Sequence, residues 1–148
     1  MKTITSNNEK DTVNLGVLLG ANCQGGEVFA LSGDLGAGKT KLANGVARGL
    51  GIRTPITSPT FNIFRVYKVS KNKKIKNFYH IDAYRLKSEK DLVNLGVEEF
   101  LGRPDTVVLI EWAEKVEKVF GKIKKIKIIL ESVNEKERLI KIYGIKNF

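Results

Sequence analysis

The chain has 148 residues, 42% of them hydrophobic, with 26 Lys+Arg against 16 Asp+Glu and a formal charge of +10. That composition excludes wholesale disorder and sets one domain, residues 1–148, as the expectation, long enough to bury about two-thirds of its unfolded surface. The charge favours anionic partners (nucleotide, RNA or an acidic protein face) without choosing among them, and a lysine-rich solvated surface accounts for it equally well.

The opening MKTITSNNEK lacks the apolar core of a signal peptide, and no apolar run approaches the ~20 residues that a membrane helix needs, so a cytoplasmic protein is expected. Ser6-Asn7-Asn8-Glu9 fits the capping-box pattern S-x-x-E. Val13, Leu15, Val17, Leu18 and Leu19 follow at roughly helical spacing, and Gly25-Gly26 closes that helix. Cys23 is the single cysteine, so no internal disulfide forms, which fits a reducing compartment. It lies away from the motif that follows and from the single histidine, His80, and reads as structural.

A strand beginning at Glu27 carries the apolar run Val28-Phe29-Ala30-Leu31 into a glycine-rich turn. Gly33, Gly38, Lys39 and Thr40 fit G-x-x-x-x-G-K-[ST], the phosphate-loop pattern, with a strand before and a helix after, as that motif requires. The spacing has a chemical reason. A polyphosphate needs many converging N–H donors, and glycine lets the backbone wrap closely around it. The helix N-terminus behind the turn adds unpaired N–H groups and a favourable dipole. Lys39 would reach the β- and γ-phosphates of ATP, and the Thr40 hydroxyl would ligate Mg²⁺. In the helix, Leu42, Val46, Ala47 and Leu50 form an inward stripe, and Gly45 and Gly49 suit close packing on the sheet.

Residues 52–60, IRTPITSPT, form a loop placed either to face the γ-phosphate or merely to connect elements. Phe61 to Val69 and Ile75 to Ile81 read as two strands of a hairpin turning at Lys71-Asn72-Lys73-Lys74. Lysines 68, 71, 73, 74 and 76 crowd its tip. They fit an RNA or partner contact, or a charged edge that resists aggregation, and too few aromatics interleave for a stacking platform. His80-Ile81-Asp82-Ala83-Tyr84-Arg85 ends the second strand. Asp82 is placed to touch Mg²⁺ or orient a water, whereas His80 reads as a core or surface histidine rather than a base. Glu89 to Leu95 is a short helix with Gly96 as its C-cap, and Glu98 to Leu101 a further turn.

Thr106 to Ile110, TVVLI, is a β-branched run suited to a strand buried on both faces of a parallel sheet. It ends in Glu111-Trp112. An acid at the carboxyl end of a central strand, downstream of a phosphate loop, is where a second Mg²⁺ ligand belongs, although Asp is the usual residue there. Ala113 to Phe120 looks helical, and Ile123 to Val133 and Arg138 to Ile145 form a C-terminal hairpin. The fold expected is α/β: a P-loop NTPase with a mostly parallel central sheet and antiparallel edge hairpins.

Gly33-Asp34-Leu35-Gly36-Ala37-Gly38-Lys39-Thr40, Ser58-Pro59-Thr60-Phe61, His80-Ile81-Asp82-Ala83-Tyr84-Arg85-Leu86 and Ile110-Glu111-Trp112 occur in that order. The combination resembles the TsaE (YjeE) family of small bacterial ATPases in tRNA threonylcarbamoyladenosine biosynthesis, over roughly Thr12 to Arg138. The resemblance implies an ATPase that binds ATP/ADP and Mg²⁺ and is slow alone. It implies stimulation by the TsaB and TsaD proteins, which modify adenosine 37 of tRNAs reading codons that begin with A. It also implies Lys39 and Thr40 on phosphate and Mg²⁺, Glu111 as second metal ligand, and Asp82 with Ser58–Phe61 on the γ-phosphate side. Lys39, Asp82 and Glu111 are thus the candidate catalytic residues. Trp112 would stand beside the nucleotide, and Thr12 and Arg138 at its far end. Two departures stand out. Lys41 replaces a second Thr or Ser, leaving its backbone N–H for the α-phosphate, and Ala113 replaces a proline. No arginine is plainly placed at the γ-phosphate, Arg85 and Arg53 being the candidates. The alternatives are a small-molecule kinase, for which the chain has little room for an acceptor pocket and lid, and a non-enzymatic RNA-binding module.

Overall fold

The structure, a computed structural model, describes residues 1–58 and 63–145. Pro59, Thr60 and Phe61 of the expected γ-phosphate loop lie outside the described residues. Seven strands form one sheet in the order β1-β7-β6-β2-β5-β4-β3. These are β1 (Lys2–Ser6), β2 (Val28–Ser32), β3 (Phe64–Lys68), β4 (Asn77–Asp82), β5 (Thr106–Glu111), β6 (Ile126–Ser132) and β7 (Arg138–Tyr143). The four central strands, β6-β2-β5-β4, run parallel, while β3 at one edge and β7 and β1 at the other each pair antiparallel with the inner neighbour. The parallel core with antiparallel edges is the architecture expected from the sequence.

The β-branched run of β5 lies between two parallel neighbours and is buried at every residue. Its side chains alternate between two cores. Val107 and Leu109 join Phe29, Leu31 and Ile128 under α1 (Glu9–Ala21) and α2 (Lys39–Gly49). Val108 and Ile110 join Val28, Ile81 and Phe120 under α3 (Glu89–Asn94) and two 3₁₀ segments, Val97–Glu99 and Ala113–Phe120.

Several local expectations are corrected. β1 precedes the first helix and pairs with β7, so the C-terminal hairpin is the inner part of a three-stranded edge. The cap of α1 is Asn8, whose side chain accepts from Asp11 N. Ser6 instead ends β1 and turns its hydroxyl inward, 2.7 Å from that of Thr12. Gly45 and Gly49 do not face the sheet. A Cβ on Gly45 would collide with Val13 O, and one on Gly49 with Val17 O, both on α1. Gly16 and Gly20 of α1 face Leu42 O and Val46 O in the same way, so the two helices meet backbone to backbone. Ala113–Phe120 is helical as expected, but as two short 3₁₀ pieces broken at Val116 (φ −130°), which is fully buried. Among the described residues, no helix is long and apolar enough to cross a membrane.

Candidate functional site

The carboxyl ends of β2, β4 and β5 and the first turn of α2 open onto a cleft of about 870 Å³. The turn from β2 into α2 takes a path only glycine follows without strain, with φ +143° at Gly33, +79° at Gly36 and +101° at Gly38. Gly33 also needs the space, since a Cβ there would collide with Leu130 O on β6. Gly38 caps α2 with no side-chain hydrogen bond. The first N–H groups of the helix therefore face the cleft side without intrahelical partners, an arrangement suited to an anion.

Lys39 crosses beneath this turn and is 5% exposed. Its Nζ donates to Gly33 O at 2.5 Å and Asp34 O at 2.8 Å and sits 3.9 Å from the centre of the Trp112 ring. Burial lowers its pKa below the ordinary lysine value, opposed by the nearby carboxylates, Glu111 foremost. Thr40, one residue on, donates its hydroxyl to Glu111 Oε2 at 3.0 Å. The other carboxylate oxygen, Oε1, lies 2.8 Å from His80 Nε2. Glu111 is 2% exposed, so both oxygens of a buried carboxylate are held, one from each side.

Asp82 stands beside Glu111 in the β4–β5 register. It accepts from Ser58 Oγ at 2.6 Å and from Tyr84 N at 3.0 Å. Ser58 arrives there because Asn44, on α2, holds the loop before it. Asn44 Nδ2 donates to Ile56 O at 2.6 Å, and Ile56 N donates back to Asn44 Oδ1 at 2.8 Å. Trp112 follows with φ 58°, the one non-glycine residue with positive φ among the described residues. Such a conformation costs on the order of 1–3 kcal/mol, and here it falls at the cleft wall. The indole meets Lys39 and packs against Tyr84, ring centres 4.9 Å apart.

At the opposite end, the Arg138 guanidinium donates to Gly36 O at 3.3 Å and Ala37 O at 3.2 Å, and to Asn134 O and Glu137 O of its own hairpin. It thus ties β7 to the glycine turn. Thr12 lines this end from α1, with its methyl facing Gly38. Lys41 reaches Glu9 at 2.7 Å along the exposed rim. Leu35 forms an exposed lip, Ala37 is buried beneath the turn, and Asp34 contributes its carbonyl to Lys39. Arg85 lines the cleft, whereas Arg53 is exposed and does not.

The donors present fit Mg²⁺. A hydroxyl and a carboxylate, both hard oxygens, stand 3.0 Å apart at a helix N-terminus. Among the described residues no cluster of three or more His, Cys, Asp or Glu could cage a metal. An ion held by Thr40 and Glu111 would complete its shell with phosphate oxygens and water, the usual habit of Mg²⁺. Sequence reasoning missed Asn44 and the link from His80 to Glu111. An asparagine on the otherwise small and apolar flank of α2 was the available signal for the first, while nothing local marked the second.

The family model described as threonylcarbamoyl adenosine biosynthesis protein TsaE matches residues 6–140. A Rickettsia felis protein named tRNA threonylcarbamoyladenosine biosynthesis protein TsaE is 39% identical over 139 residues, 92% of this chain and 76% of its own. The Bacillus subtilis protein of the same name is 34% identical over 140 residues, 95% and 84% of the two chains. The crystal structure of Bacillus subtilis YdiB superimposes with a TM-score of 0.76 at 30% identity, covering 98% of this chain and 86% of that one.

Proposed function

The chain belongs to the TsaE family of tRNA threonylcarbamoyladenosine biosynthesis proteins, and from that premise we propose that it binds Mg·ATP and hydrolyses it slowly, acting with TsaB and TsaD in modifying adenosine 37 of tRNAs. The observation that carries the reading is the pairing of Thr40 with Glu111 directly behind the glycine turn, a hydroxyl and a carboxylate brought together from residues 71 apart in sequence. The turn and the α2 N-terminus would cradle the phosphates. Lys39 would leave its two carbonyl partners for the β- and γ-phosphates. Bound Mg²⁺ would supply charge neutralisation at those phosphates. Asp82, on the neighbouring strand end, would orient the attacking water, and Trp112 and Tyr84 would wall that side against bulk solvent. Catalysis in such a site is positioning plus electrostatics.

Slow turnover by the protein alone has a physical source. Lys39 is bonded to its own loop and Asp82 to Ser58 and Tyr84 N. Both must exchange partners before they act on substrate, and a partner surface that reorders the loop carrying Ser58 would promote the exchange. The test is phosphate release from Mg·ATP by the protein alone, with tRNA, and with the TsaB–TsaD pair. Stimulation by the pair is expected. Absence of stimulation where the complex demonstrably forms would overturn the partner assignment. Phosphate appearing on a small-molecule acceptor would indicate a kinase. Tight tRNA binding without nucleotide, with a steep salt slope, would indicate an RNA-binding module.

A further inference from the structure

We propose that His80 is a positioning residue that reserves one oxygen of Glu111 and thereby presents the other, singly, to the metal; this rests on the Mg·nucleotide reading above. His80 is fully buried, and its Nε2 lies 2.8 Å from Glu111 Oε1. In the β4–β5 register His80 stands opposite Leu109, and Asp82 opposite Glu111. Side chains alternate along a strand, so His80 and Asp82 share a face with Leu109 and Glu111, the face covered by α2. The imidazole reaches Oε1 of the carboxylate from the level of Leu109, two residues back along the strand, while Thr40 holds Oε2.

The division of labour follows from what each atom can do. A carboxylate only accepts hydrogen bonds, so the proton between the two groups belongs to Nε2. The second ring nitrogen, Nδ1, has no hydrogen-bond partner among the described residues. Among the described residues, Glu111 is the hydrogen-bond partner of the ring. A buried imidazole N–H requires an acceptor, and here Glu111 supplies it. The terminal torsion of a glutamate is broad, so an unassisted carboxylate turns easily between one-oxygen and two-oxygen ligation. With Oε1 engaged by His80, Oε2 alone faces the Thr40 hydroxyl. Octahedral Mg²⁺ at short bond lengths favours such single-oxygen ligation. Groups that orient a ligating carboxylate in this way change metal affinity by about 10–100-fold when removed.

Two amide replacements separate the nitrogens. The amide of Gln stands where Nε2 does and can still donate to Glu111, whereas the shorter Asn reaches only as far as Nδ1. Mn²⁺ retained by the protein–ADP complex, followed by electron paramagnetic resonance, reads the metal directly. ADP binding in EDTA, followed by Trp112 fluorescence, reads the nucleotide without it. His80→Asn is expected to weaken Mn²⁺ retention by roughly 10-fold or more. His80→Gln should restore most of it, and both should bind ADP in EDTA as the parent does. In a Glu111→Gln background the same Asn substitution should add no further loss. Equal Mn²⁺ retention by the Asn and Gln variants would overturn the inference, as would an undiminished Asn effect in the Glu111→Gln background. Failure of the unaltered protein to retain Mn²⁺ with ADP would instead overturn the metal–nucleotide reading beneath it.

Discussion

Glycine serves two unlike purposes at the two ends of α2. In the turn before the helix, Gly33, Gly36 and Gly38 are needed for backbone angles that other residues adopt only under strain. Along its flank, Gly45 and Gly49 have ordinary helical angles and are needed only because α1 leaves no room for a side chain. The surroundings differ accordingly. The turn opens on buried polar groups (Lys39 and Glu111, the latter backed by His80) and on the one strained non-glycine residue among those described, Trp112. The seam between α1 and α2 is backbone against backbone over an apolar core. The candidate site and the helix seam are thus built from different residues, and each is separately accessible to mutation.

The largest effect expected is on the site side. Glu111→Gln keeps the side-chain volume but removes the charge, and should lower Mg·ATP hydrolysis by about 100-fold, or about 2.7 kcal/mol. ADP binding and the melting temperature should change little. Unfolding in step with lost hydrolysis would break the separation. On the seam side, Gly45→Ala drives a methyl group into the Val13 carbonyl. It should cost about 2–3 kcal/mol and lower the melting temperature by about 5–10 °C, with hydrolysis per folded molecule unchanged. A variant that melts normally would show that the seam yields more easily than its geometry implies.

Asn44 lies between the two regions, and its substitution sharpens the boundary. Asn44→Ala removes both hydrogen bonds to Ile56 and should cost about 1–2 kcal/mol, mostly by loosening the loop rather than the fold. Faster tryptic cleavage after the exposed Arg53 would report that loosening, and unchanged cleavage would count against it. The smallest effect belongs to Lys41→Ala. Its ion pair with Glu9 is more than half exposed on both sides, at 51% and 65%. Denaturant unfolding should shift by no more than about 0.5 kcal/mol.

The parts legible in sequence were those whose signal is local. The glycine turn, the buried β5 run and the β3–β4 hairpin carry their patterns within a few residues. The parts that were not legible depend on distant partners. KTITS is too short and too close to a polar stretch to declare itself a strand, and it is one only because β7 lies beside it. Ser6 matched a cap pattern, yet Asn8 took the role because Ser6 was already at the end of β1. The small faces of α1 and α2 were visible, but which surface they met was not, since glycines facing a sheet and glycines facing a helix have the same spacing. Asp82 and Glu111 could be named because strand ends collect ligands in open α/β sheets. His80 could be placed in the core but not joined to Glu111, because that contact depends on the register of two strands 31 residues apart.

The pairing of β1 with β7 bears on how the molecule is assembled. A strand at the beginning of the chain finds its neighbour only near the end, in the register Ser6 opposite Arg138. Ser6 is bonded to Thr12, and Arg138 to the glycine turn, so the far wall of the cleft closes through the same pairing. Joining two such distant segments costs more loop entropy than any neighbouring pair and belongs late in folding. Without β7 the cleft would lose the wall that Arg138 ties to the glycine turn, and β6 would keep only its parallel partner β2. Occupancy of the cleft by a ligand that touches this wall would therefore favour the state in which β1 and β7 are paired over one in which they have separated.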